Sequence, residues 1–361
     1  MAAVADVSPG QRVLTAGAIS GQRGNVVIIV ALFLTVLLGF MAMAVDVGLF
    51  MWEKRELQNI ADAAALAGVQ ELPDDPDAAV EIATDYATRN GVGSRGWVLQ
   101  SVTVLPAGCS AEEEDCTALE VRVRHPDAPF FLGRVLGLTT ATVASRAQAA
   151  IQSPQLSDNV MPWSLRDSVR RRARYGDLVT VKYSAGGGSQ GDYGALSIQN
   201  PRCAGNNGAN LYRCNIREGA TVQIGIRYPT EPGNMRGPTR QGLQDRLDAT
   251  DADCDTFEEV FQRVGDSWRF RSDDCNPWSE AGQGSKRVVL IPVISDDDDP
   301  GRSEVTVLGF AVAFIESFDC PTGNQCDVRV RFVQAVMSAE ERMRFGPYNP
   351  MSDIRIPRLV G

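Results

Sequence analysis

Three groups of side chains have the types and spacing that could do chemistry. Asp251-x-Asp253-x-Asp255, followed by Glu258 and Glu259, alternates carboxylates like the opening of a calcium loop, where such groups converge on a hard cation. The sixth position is Thr256 rather than glycine and the twelfth is Gln262 rather than glutamate. These acids are therefore expected at a solvated helix N-terminus, where the dipole favours them. Asp296 to Asp299 precede Pro300-Gly301 and read as a solvated hairpin loop. The third group is the cysteines: Cys109, Cys116, Cys203, Cys214, Cys254, Cys275, Cys320 and Cys326. No C-x-x-C occurs and His125 is the only histidine, so zinc is not expected. There is also no G-x-S-x-G and no P-loop lysine motif. The expectation is a protein without a catalytic step, a cofactor or a small-molecule substrate.

The cysteines fall into near neighbours, and sequential pairing is expected: Cys109 with Cys116, Cys203 with Cys214, Cys254 with Cys275, Cys320 with Cys326. All of them follow the apolar run Val26 to Val45, which has no charge over twenty residues. As a helix that run reaches about 30 Å, the thickness of bilayer hydrocarbon. A signal peptide cut after Ala42-Met43-Ala44 is the competing reading, but the helical pattern continues through that point. Lysine and arginine counts on the two flanks do not decide orientation, since Arg12 and Arg23 precede the run while Lys54 and Arg55 follow it. An even set of cysteines on one side does, because disulfides persist in oxidising compartments. The chain is thus expected to be single-pass in the cell membrane, with its N-terminus inside and its C-terminal part outside.

The elements that position these groups follow from periodicity. A helix is expected to continue through Val47 to Leu72, with Phe50, Leu57, Ala61, Ala64 and Gly68 on one face, and to end at Pro73. Its far half is rich in small residues, which let another backbone approach. Leu57, Ala61, Ala64 and Gly68, with Asp46, form a candidate helix interface, served either by the chain's own αβ unit or by a second protein. Asp46 sits at the hydrocarbon edge, at headgroup level or facing a cation or helix N-terminus of a partner. Asp77 is the expected N-cap of a second helix, Ala78 to Asn90. Strands are expected at Val98 to Leu105 and Ala118 to Arg124, a short helix at Pro129 to Leu136, and a strand at Thr139 to Ile151.

Beyond Ser153-Pro154 the chain reads as mostly β, with strands at Leu178 to Tyr183, Thr221 to Tyr228, Arg287 to Ile294, Glu304 to Ile315 and Asp327 to Met337. Helical signals are confined to Gln241 to Leu247 and Thr256 to Arg263, and glycine-rich connections to 186–194 and 203–208. The fold class expected is α+β, with a tail at 1–24, the spanning helix and its extension at 25–72, a small αβ unit at 73–153 and a β-rich extracytoplasmic domain at 154–361. A formal charge of −10 argues against nucleic acid as a partner. The one basic run, Arg166 to Gly176, reads as solvated surface.

The segment Arg23 to Leu72 resembles the N-terminal domain of the TadG/TadE-like proteins of the Flp (Tad, tight adherence) pilus-assembly system. The residues that carry this are Gly24, Val45-Asp46-Val47-Gly48 and LQNIADAAALAG (Leu57 to Gly68). PFFLGRVLGLTTATVASRAQA (Pro129 to Ala149) is also similar to the family pattern, and NVMPWSL (Asn159 to Leu165), VVLIPVI (Val288 to Ile294) and GFAVAFI (Gly309 to Ile315) share looser features. The resemblance implies a non-catalytic envelope protein that builds or anchors adhesive pili, with the bilayer and other pilus-assembly or pilin-like proteins as partners. A surface-displayed binding module anchored by the helix is the alternative. Ile29 stands where prepilin processing after Gly24 would need a glutamate, and the D-x-S-x-S of a von Willebrand factor A domain is not found beyond the membrane run, so neither feature is expected.

Overall fold

The computed structural model describes residues 22–360 apart from 110, 113–114, 185–192, 234, 250–251, 265–266, 280–283, 299–303, 322–324 and 337–342. The tail at 1–21, Asp251, Asp299 and most of the 186–194 connection lie outside the described residues. Two compact units emerge: residues 22–54 with 127–143, and residues 55–126 with 144–360.

Helix α1 (Gln22–Gly68) runs for 47 residues without a break and closes in a 3-10 turn at Val69–Glu71. Helix α2 (Pro76–Arg89) starts two residues earlier than the sequence suggested. Asp75, not Asp77, is its N-cap, accepting the Ala78 amide at 2.8 Å. Pro76 moves the cap, because its missing N–H and fixed φ suit the first helical position.

Strands β1 (Val98–Leu105) and β2 (Ala118–Pro129) pair antiparallel, and β2 pairs with β3 (Thr140–Val160). β3 runs unbroken through Ser153 and Pro154, beyond the Ile151 end expected from its alternation. Then come β4 (Trp163–Arg166), α3 (Asp167–Arg172), β5 (Leu178–Ser184), β6 (Tyr193–Ala195), α4 (Gly208–Glu218), β7 (Ala220–Gln223), β8 (Arg227–Pro229), α5 (Arg236–Leu247), α6 (Phe257–Val260), β9 (Phe261–Val264) and β10 (Ser267–Phe270). The last are β11 (Val288–Ile294), β12 (Glu304–Thr306), β13 (Gly309–Asp319), β14 (Gln325–Val333), β15 (Ala335–Val336), β16 (Met343–Pro347) and β17 (Ile354–Leu359). Among the described residues, β13, β14, β5, β6, β4 and β11 pair in sequence, and a β11–β13 pairing closes the ring.

β11 is buried at every position, as the apolar run VVLIPVI requires of a strand covered on both faces. Successive side chains point oppositely. Val288, Leu290 and Ile294 join a cluster with Phe257, Phe261, Trp278 and Phe314, while Val289, Ile291 and Val293 join one with Trp163, Tyr212 and Leu243. Helices α4 and α5 deliver Tyr212 and Leu243 to the second cluster. α4 was unexpected, because its apolar positions Leu211, Tyr212 and Ile216 sit among asparagines and arginines.

Several expected elements change at their ends. The run Thr221 to Tyr228 splits into β7 and β8 around Gly225, whose φ of +79° breaks the extended backbone. Glu304 to Ile315 splits into β12 and β13. The helix expected from Thr256 to Arg263 is one turn, α6, and then strand β9, antiparallel to β10. The helix expected at Pro129 to Leu136 is a 3-10 turn, Gly133–Leu136. The basic run is not all surface. The Arg170 side chain is 9% exposed, donates to Asp167 Oδ1 at 2.8 Å and Asp353 Oδ1 at 2.7 Å, and shares Asp353 with the Tyr175 hydroxyl at 2.8 Å. Four disulfides join the sequential cysteine pairs, each across a short loop.

Candidate functional site

In the first unit, the helix and one hairpin tip build a site around Asp46. The chain leaves β2 at Pro129, and the Phe130 amide donates to the Thr139 carbonyl at 3.1 Å, narrowing the hairpin. The 3-10 turn at Gly133–Leu136 and Gly137 at φ +84° then reverse the chain. The amides of Phe131 and Leu132 donate to Asp46 Oδ1 at 2.7 and 3.0 Å, and the Gly133 amide donates to Oδ2 at 2.6 Å. Asp46 is 4% exposed, so its carboxylate is solvated by backbone N–H groups of its own chain and not by water. Hydrogen bonds to a charged acceptor are short and stronger than those between neutral groups, although three on one group do not add. Gly133 is required by space. A Cβ there would lie 3.1 Å from Asp46 Oδ2 and 2.9 Å from Phe130 Cδ1. One turn farther along α1, Phe50 meets Phe130 edge to face at 4.9 Å between centroids, a contact of about 0.5–1.5 kcal/mol beyond burial.

In the second unit the small-residue face of α1 is filled from within the chain. Leu57, Ala61 and Ala64 are fully buried. At Gly68 an added Cβ would stand 2.5 Å from the Ala79 carbonyl oxygen, 2.6 Å from Leu119 Cδ2 and 2.9 Å from Ala83 Cβ. Helix α2 therefore lies almost backbone to backbone on α1, using its own small face of Ala79, Ala83 and Ala87. The following turn is tied down by Arg355, which donates to the Leu72 carbonyl and pairs with Asp74. Burial would lower the Arg355 pKa, but the bonds to Asp74 raise it overall.

The acidic motifs have local work. Thr256 caps α6 in a reciprocal box: its hydroxyl accepts the Glu259 amide at 3.3 Å, and Glu259 Oε2 accepts the Thr256 amide at 2.9 Å. Asp255 pairs with Arg287 at 2.5 Å. Asp296 accepts the Ser168 amide at 3.1 Å and faces Arg171 at 3.5 Å. Among the described residues, Cys109, Asp115 and Cys116 come together as metal ligands would, but both sulfurs are in a disulfide. A polar pocket of about 60 Å³ lies between Asn159, Arg202, Glu218, Arg246, Ser285 and Lys286. Arg246 is buried there and donates to the Ile216 and Lys286 carbonyls and to Asn159 Oδ1, at 3.0, 2.6 and 2.6 Å. Burial pushes its pKa down. Sequence reading did not reach this arginine, since one charge in a short helical signal says nothing about its depth. Nor did it find the donors to Asp46, which lie 85 to 87 residues away.

Residues 24–71 match the family model described as putative Flp pilus-assembly TadE/G-like. The matched stretch covers α1 from the start of its apolar run, through Asp46 and the buried small face, to the closing 3-10 turn. No curated protein and no solved structure matches the chain. Over residues 24–71 the chain is thus similar to the Tad pilus-assembly domain, on one long apolar N-terminal helix that a disulfide-bearing α/β region with a large sheet follows.

Proposed function

We propose that the chain is a non-catalytic, membrane-anchored component of Flp/Tad-type pilus assembly or anchoring, with its N-terminus inside the cell and the residues after α1 outside. The observation that carries the reading is the position of the family match, which falls wholly on α1 and its closing turn. Two features support it. The exposed surface of α1 from Val26 to Met51 is almost entirely apolar, as lipid requires of a spanning helix. The four disulfides all follow that surface, as expected of a chain folded in an oxidising compartment. Because Leu57, Ala61 and Ala64 are buried and α2 with Leu119 fills the notch at Gly68, pilus partners would meet α1 along its exposed apolar half or meet the surface of the second unit.

The test is deletion of the gene in a host that carries the pilus system, with an affinity-tagged copy restored. Loss of surface pili on deletion, recovery on restoration and co-extraction of pilin-like proteins with the tagged chain are expected. Unchanged pili with lost adhesion would overturn assembly and favour a surface-displayed binding module.

A further inference from the structure

The first unit carries a second apolar surface besides the helix. At the hairpin tip between β2 and β3, Phe131, Val135, Leu136 and Leu138 are exposed, Val135 by 88%. Hairpin tips that face water are made of polar turn residues, yet between Phe130 and Leu138 the only charge is Arg134. The tip is also pinned at a defined height on α1. Phe130 meets Phe50 edge to face, and the next three residues donate to Asp46, one helical turn nearer the apolar run. At that height the helix surface is itself apolar: Met43, Val47, Met51 and Trp52 are exposed, and Glu53 and Lys54 follow. Asp46 lies about 9 Å below Trp52 along the helix axis at 1.5 Å per residue. Tryptophan marks the headgroup level of spanning helices.

We infer that residues 130–138 are a second membrane-embedded element, a wedge that enters the same leaflet as the outer end of α1 and packs against its acyl chains. The inference rests on the reading of α1 as a membrane anchor. A carboxylate at the depth of Asp46 is costly unless it is solvated without water. The three amides at the base of the wedge do this, and the wedge then shields the carboxylate from lipid. Irregular backbone facing lipid must also satisfy its own polar groups. The amides of Phe131, Leu132 and Gly133 are held by Asp46. Those of Phe130, Val135, Gly137 and Leu138 are held by carbonyls of the same hairpin. Continuity with the exposed apolar face of α1 selects lipid as the occupant, and the long Arg134 side chain reaches from the wedge toward phosphate headgroups.

Single cysteines test this in the full chain, because the described cysteines are all paired. Val135→Cys, Met43→Cys and Arg89→Cys, the last at an exposed residue of α2, are each labelled with a polarity-sensitive thiol fluorophore and reconstituted into phosphatidylcholine vesicles containing doxyl-labelled lipid. The expected result is blue-shifted, strongly quenched fluorescence at positions 43 and 135, and unquenched, water-like emission at 89. Water-like, unquenched emission at 135 with quenching at 43 overturns the wedge and leaves the anchor standing. A blue shift at 135 without quenching means that protein covers the tip, which also overturns it. No quenching at 43 would remove the anchor reading itself.

Discussion

Gly68→Ala isolates the close approach of α1 and α2 in one methyl group. Gly68 has φ −67° and ψ −38°, a helical conformation open to any residue, so its glycine answers to space alone. The new Cβ would meet the Ala79 carbonyl oxygen at 2.5 Å, Leu119 Cδ2 at 2.6 Å and Ala83 Cβ at 2.9 Å. Leu119 can rotate, but the Ala79 oxygen moves only if α2 moves. Overpacking of this kind costs about 1–3 kcal/mol, against a helix-propensity gain of at most about 1 kcal/mol that shrinks at a helix end. The net loss is about 1–2 kcal/mol, which lowers the midpoint of a large domain by about 2–6 °C. Gly48→Ala is the control, since nothing lies within 4 Å of its added Cβ. That variant gains propensity without overpacking and melts at or slightly above the unmodified protein. The assay is thermal unfolding of the detergent-solubilised full chain, followed by near-ultraviolet circular dichroism. A Gly68→Ala midpoint equal to or above the unmodified one would refute the claim that α2 closes on α1 at this glycine.

Asp46→Ala leaves three amides without an acceptor, of which that of Gly133 is buried and bears the full cost of an unmet donor while the other two are part-buried. Residues 130–138 should become cleavable by protease in detergent, more so than in Asp46→Asn, which keeps one acceptor oxygen; equal resistance in all three proteins would count against the site. Asp353→Ala strips Arg170 of a buried partner and should cost about 3–5 kcal/mol in chemical denaturation, whereas a loss within error would mean that Asp167 alone satisfies the guanidinium. Opening the Cys254–Cys275 bridge, whose cysteines are 21 residues apart, should cost about 3 kcal/mol in the chain-entropy model, checked by the denaturant midpoint of the paired serine variant. Hydrogen bonds from the Thr256 amide and hydroxyl hold the Glu259 carboxyl below its ordinary 4.5. Its stabilising share is therefore complete above that value and is lost as pH falls through the depressed folded value. Glu259→Gln should flatten the acid limb of the melting profile between those two values, and an unchanged limb would show that the box contributes nothing.

Much of the protein was legible because its causes are local. Twenty uncharged apolar residues specify a helix long enough for a bilayer whatever follows them, and the small residues from Ala61 to Gly68 mark a face meant for close approach. Near-neighbour cysteines favour short loops because closure costs least entropy there, and the apolar runs VVLIPVI and GFAVAFI read as strands. Where local chemistry had two solutions, the boundary moved, as when Pro76 drew the cap to Asp75. Other features depend on partners far along the chain. That Asp46 meets three amides of its own hairpin, that α2 fills the Gly68 notch, and that Arg170 is buried against Asp353, 183 residues away, are matters of which surfaces meet. A sequence states how small, apolar or charged a position is, which fixes the kind of neighbour it needs. Only the folded chain decides which neighbour arrives, because many pairings satisfy the same local demand and the packing of the whole selects one.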